Sequence, residues 1–183
     1  MNAPADSPRK SVHLRRVSCE GFEREDGLLE IEGLLVDTKP VPLQMPTRML
    51  PAGEPVHQMR VTLVLDRERT ILDVRAFTEH SPYPVCGEIA SSYRQLVGLR
   101  IEPGFTQQVK RMFRGVHGCS HITEMLPTMA STVFQMLWSD SDFDGVDPAG
   151  SARRTSPLGG CHALKLDGEV VRTYFAHLKD ASQ

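Results

Sequence analysis

The stretch Gln58-Met59-Arg60-Val61-Thr62-Leu63-Val64-Leu65-Asp66-Arg67-Glu68-Arg69-Thr70-Ile71-Leu72-Asp73-Val74-Arg75-Ala76-Phe77-Thr78 decides the fold. Val61, Leu63 and Leu65 alternate with Thr62, Val64 and Asp66. Ile71, Asp73, Arg75 and Phe77 alternate with Leu72, Val74 and Ala76. A period of two is the signature of a strand. Arg67-Glu68-Arg69 is a polar turn between the runs, so the segment reads as an antiparallel hairpin, partly buried on both faces.

Toward the N-terminus, Val12 to Glu25 and Leu28 to Asp37 read as a second hairpin, with Asp26-Gly27 as the turn. Thr38 to Pro55 carries five prolines and reads as an irregular connection. Residues 1–10 are polar and read as a disordered arm. Toward the C-terminus, Pro82 and Pro84 impose extended backbone. Three helices are then expected: Gly87 to Val97, Phe105 to Arg114 and Ser120 to Trp138. The third carries an apolar stripe of Ile122, Met125, Leu126, Met129, Val133, Met136 and Leu137. Pro127 either kinks it or marks a later start. Residues 139–160 read as a mobile loop, and residues 161–183 as a C-terminal β tail turning at Asp167-Gly168. The expectation is an α+β fold: an antiparallel sheet of two hairpins with three helices on one side, forming one domain over residues 11–138.

The chain has 183 residues and a net charge of -2, which gives no global pull toward nucleic acid or anionic lipid. Nothing in it approaches the roughly 20 apolar residues of a membrane helix, nor the apolar core of a signal peptide. The expected location is the cytoplasm. Cys19, Cys86, Cys119 and Cys161 are far apart, with no CxxC pair, so a metal site would draw on distant segments.

Four positions stand at element ends: His57, Cys86, Cys119 and His121. Gly118-Cys119-Ser120-His121 opens the long helix, where free N–H groups favour a thiolate. Two thiolates and two imidazoles suit a tetrahedral zinc; three ligands and a water suit catalysis. Glu124 is the candidate base, or a partner that orients a histidine. Cys19 and Cys161 read as small buried hydrophobes, and His13, His80, His117 and His177 as surface or hydrogen-bonded groups.

The chain carries two resemblances. Cys19-Glu20-Gly21-Phe22, Asp26-Gly27-Leu28, Ile31-Glu32-Gly33, Asp37-Thr38-Lys39, Pro82-Tyr83 and Gly118-Cys119-Ser120-His121 resemble a bacterial family of the DUF2889 type, loosely tied to catabolic gene clusters. Pro55 to Leu126 is similar to the iron–sulfur scaffold fold of the IscU, SufU and NifU type, with Cys86 and Cys119 at its second and third cysteine positions. The first cysteine is replaced by His57, and the Gly-Asp pair after it by Gln58-Met59. That resemblance implies the fold and a metal position more than cluster assembly.

The sequence thus points to a mononuclear Zn or Fe enzyme using His57, Cys86, Cys119 and His121, with Glu124 as base. Lyase, isomerase and hydrolase chemistry stay open, on a small organic, catabolic substrate, aromatic compounds included. An Fe–S or sulfur-transfer scaffold and a structural-zinc interaction protein are the rivals. The expected partner is a small molecule, with no nucleic acid or membrane; self-association is left open.

Overall fold

The structure is a computed structural model that describes residues 7–46, 48–137 and 158–176. The first hairpin is β1 (Leu14–Glu23) and β2 (Leu29–Thr38). Its turn forms as the Asp-Gly pair dictates: Gly27 has φ 80°, and Asp26 Oδ1 accepts the Leu28 N–H at 3.2 Å. Two short strands, β3 (Leu43–Gln44) and β4 (Met49–Leu50), pair within the proline-rich connection. The segment is therefore less irregular than its composition suggests; Met45, Leu50 and Val56 give it a small apolar cluster.

The second hairpin is β5 (Pro55–Leu65) and β6 (Ile71–His80). The four long strands form one antiparallel sheet in the order β1-β2-β5-β6. The central position of β5 explains why Val61 to Leu65 are all buried: both sides are paired and both faces are covered. The turn between β5 and β6 is held by Asp66, whose carboxylate accepts the Thr70 N–H at 2.7 Å.

The helix expected over Gly87 to Val97 spans Pro84–Leu96, starting within the stretch expected to be extended because Pro is tolerated in a first turn, and it is a 3-10 helix. Its buried residues Ala90, Tyr93 and Leu96 recur every three positions, which matches three residues per turn. The α-helices of this unit are α1 (Phe105–Met112) and α2 (Ser120–Met136). Helix α2 starts at Ser120 and carries Pro127 inside it. It buries Ile122, Met125, Leu126, Met129, Ala130 and Val133.

The way α2 meets the sheet sets up the site. Leu29, Ile31, Gly33, Leu35 and Asp37 alternate along β2 as its buried face. A Cβ on Gly33 would stand 2.7 Å from Met129 Sδ and 3.0 Å from Met125 Sδ. A Cβ on Gly21, in β1, would meet Met136. Glycine at these two places lets the helix lie directly on the strands. The helix N-terminus is thereby placed over the Asp37 end of the face.

The chain divides into two compact units, Met1–Met136 and Leu137–Gln183. In the second, the expected β tail is not formed: Glu169–Tyr174 is a short helix, α3, preceded by turns. Gly168 N–H closes a turn onto Lys165 O, and Arg172 N–H then bonds Gly168 O, so Asp167-Gly168 starts a helix instead of a hairpin. The expected loop at 139–160 lies outside the described residues up to position 157, as do the first six residues of the expected arm. Among the described residues no helix is long and apolar enough to cross a membrane.

Candidate metal centre

The register of the sheet aligns Arg15 of β1 with Asp37 of β2, and Asp37 with His57 of β5. Three polar residues therefore form one row across three strands, at the end of an otherwise apolar face. His57 does not precede its strand, as the proline-rich context suggests; β5 begins at Pro55 and takes His57 into the sheet. A register shift between Asp37 and Thr38 accommodates that early start.

Asp37 is 1% exposed and serves as the hub. Arg15 donates two hydrogen bonds to it, Nε to Oδ1 and Nη2 to Oδ2, each at 2.8 Å. His13 Nε2 lies 3.1 Å from Oδ1. Burial by itself would push the carboxyl up; the hydrogen bonds and charge of Arg15, with help from His13, outweigh it and hold the group down at about 2. Arg15 also reaches Glu124 Oε2 at 2.9 Å, so its charge is shared between two carboxylates.

Two imidazoles converge on the second oxygen of the same carboxylate. His57 Nδ1 is 3.2 Å from Asp37 Oδ2, and His121 Nε2 is 3.5 Å from it. The two rings stand 4.0 Å apart between centroids, tilted by 30°. Burial lowers the pKa of both histidines, and for His121 the neighbouring His57 and Arg15 charges add to it; Asp37 opposes the shift in each. Both rings are thus biased to the neutral form that binds metals. His57 Nδ1 is close to Oδ2 but out of line for a hydrogen bond, and it is buried without any hydrogen-bond partner.

Asp37, His57 and His121 each offer a ligand atom, and these atoms lie within 4.8 Å of one another. The group could hold a metal ion. It differs from the four-residue set expected from the sequence. His57 and His121 are brought together, but the carboxylate of Asp37 joins them. Cys119 lies behind His121, with Sγ 3.8 Å from Nδ1, the nitrogen turned away from Asp37. Cys86 sits in the 3-10 helix and belongs to no such group among the described residues. The physical reason is that Cys119 reaches one nitrogen of His121 while the other nitrogen of the same ring faces Asp37, so the ring stands between the sulfur and the carboxylate.

The turn that launches α2 is fixed by Tyr93, a fully buried residue stacked on Phe113 at 4.2 Å. The Cys119 N–H donates to its hydroxyl at 2.9 Å; the hydroxyl lies 2.8 Å from Cys119 O and 2.7 Å from Thr123 Oγ1. Glu124, the expected base, is exposed and faces a cleft of about 320 Å3 beside α1.

The profile of one protein family, described as "Protein of unknown function (DUF2889)", matches residues 13–135, a span that contains every residue of this group. No curated protein matches the chain. No solved structure matches it either, so the IscU-type core gains no support from a structural neighbour.

Proposed function

We propose a metal-dependent activity for this chain, which belongs to the DUF2889 family: a mononuclear centre held by Asp37, His57 and His121 that acts on a small organic substrate. The observation that carries the reading is the convergence of His57 Nδ1 and His121 Nε2 on one oxygen of a carboxylate kept ionised, with Nδ1 buried and not aligned for a hydrogen bond. A cation between the three groups would satisfy a buried polar atom that Asp37 meets only at poor geometry.

Ligands at about 2.0–2.1 Å from a tetrahedral ion stand roughly 3.3–3.4 Å apart. The two separations from Asp37 are 3.2 and 3.5 Å, close to that spacing. A set of two histidines and a carboxylate suits zinc or ferrous iron. Three protein ligands leave a position open, which is the catalytic form of such a site. A bound ion there supplies a Lewis acid for a carbonyl or an acidified water. Arg15 orients the Asp37 carboxylate, and Cys119 faces the rear nitrogen of His121. Hydrolase, lyase and isomerase chemistry all fit this arrangement. A sulfur or cluster scaffold would draw on thiolates, and neither Cys86 nor Cys119 is among the three converging groups.

A second reading has its own observation: Arg15 already engages both oxygens of Asp37, as in an ion-free polar cluster. Metal analysis of the purified protein separates the two. The expected result is about one zinc or iron per chain, lost in an Asp37→Ala, His57→Ala, His121→Ala triple variant and kept in Cys86→Ser. Metal retained by the triple variant, or none taken up by the wild type on reconstitution, refutes the metal centre.

A further inference from the structure

The cleft beside Glu124 has a chemistry of its own. It lies between the end of α1 and the first turn of α2, and its walls include Lys110, Arg114, Ser120, Thr123 and Glu124 over a floor at Phe113. From Phe105 to Thr123 the chain carries Lys110, Arg111 and Arg114 and no acidic residue. Among the described residues neither Lys110 nor Arg114 has an ion-pair partner. The one acid at the rim, Glu124, is already engaged by Arg15. The first turn of α2 holds no acidic side chain of its own. A concave opening with two uncommitted cations and hydroxyls, whose one acid is paired with Arg15, is a place for an anion. Its volume is at the lower end of pockets that hold small molecules.

We infer that this cleft binds the oxyanion group of a small organic molecule, a carboxylate or a phosphate, with Lys110 and Arg114 as its charged contacts. Its use as the substrate-anchoring part of the metal centre rests on the function proposed above; the binding of the anion does not. The link between the two is short. Glu124 lines the cleft and holds Arg15, and Arg15 holds Asp37. An anion in the cleft therefore sits one ion pair away from the clamp on the metal-binding carboxylate. The implied substrate class is an organic acid or a phosphate ester.

The test is an amide chemical-shift titration of the full chain with acetate, benzoate and inorganic phosphate, against sodium chloride at matched ionic strength. The expected result is saturable shifts at the amides of Ser120, Thr123 and Glu124, absent with chloride. Saturation by acetate or benzoate identifies a carboxylate source, and preference for phosphate identifies a phosphate ester; either supports the oxyanion class. Lys110→Ala and Arg114→Ala should each weaken binding by about fivefold, and Lys110→Arg should retain it. Both alanine changes fall on exposed side chains, and circular dichroism checks that the variants are folded. No saturation, shifts equal to those of chloride, or unchanged affinity in the double alanine variant overturns the inference. The same titration on Asp37→Asn should still saturate, so a failed metal centre and a failed anion site give different results.

Discussion

Replacing Asp37 by asparagine tests the electrostatics of the centre while leaving its shape nearly unchanged. In the folded chain the carboxyl sits at about 2, against an ordinary value of 3.8. A folded value below the unfolded one means that the unfolded chain takes up the proton first. The stabilisation is therefore complete above about pH 4 and is lost as the pH falls toward 2. At about 1.4 kcal/mol per unit, the ionised group contributes on the order of 2 kcal/mol at neutral pH. Arg15 keeps Glu124 in the variant and is partly solvated, so no stranded buried cation adds a second large penalty. The histidines add a loss of the same sign at higher pH. Their folded values lie below 6.5, so the stability of the chain falls as the pH drops through that value. Asp37 partly opposes both shifts, and removing it enlarges them. The stability gap between wild type and Asp37→Asn should thus widen slightly from pH 7 to 5 and then close by about 2 kcal/mol between pH 4 and 2. Urea unfolding of both proteins, metal-free in chelator and at constant ionic strength, reads the gap at each pH. A gap that stays constant between pH 4 and 2 refutes the account of Asp37 as a buried, Arg15-clamped carboxylate.

Two further changes probe how the fold delivers the site. Gly33→Ala puts a methyl 2.7 Å from Met129 Sδ and 3.0 Å from Met125 Sδ, both fully buried, so it should cost about 1–3 kcal/mol in urea unfolding. Where the two Met side chains move α2 with them, metal binding at the proposed centre should also weaken by about tenfold in a competitive chelator titration. Tyr93→Phe leaves the Cys119 N–H without its acceptor and should cost about 1–3 kcal/mol, measured the same way.

The strands were legible because their periodicity is strong. The alternation from Val61 to Phe77 and the Asp26-Gly27 turn depend on neighbours in sequence, and both hairpins form where expected. The 3-10 character of Pro84–Leu96 was not legible as such, since an apolar period of three differs little from 3.6 over one or two turns. The C-terminal unit was misread because Asp-Gly starts a turn in any context; whether a strand or a helix comes after the turn depends on packing that local pattern does not carry. His57 and His121 are singled out by residue type and by their places at element ends. The soft-ligand argument then drew in Cys86 and Cys119, which the fold does not bring into the converging group.

Asp37 was the missed member, and a signal for it does exist in the sequence. Leu29, Ile31, Gly33, Leu35 and Asp37 occupy one side of a period-two strand. An acid that continues an apolar side points inward, and a buried carboxylate must find donors or a cation. Its arginine is less readable: pairing outward from a two-residue turn at Asp26-Gly27 would bring Arg16 opposite Asp37, whereas the loop closes between Arg24 and Leu28 and shifts the register by one, to Arg15. The inward acid follows from the strand pattern, and its arginine from the detail of the loop. His57 could not be added in the same way. Its placement opposite Asp37 requires β5 to begin at Pro55 and a register shift at the end of β2, neither of which the alternation beyond Gln58 encodes. His121 depends further on the depth at which α2 sits, and that depth is set by the absence of side chains at Gly21 and Gly33. The centre is therefore a tertiary product: a clamp formed within one hairpin, closed by a second strand and a helix whose positions rest on an irregularity and on two glycines.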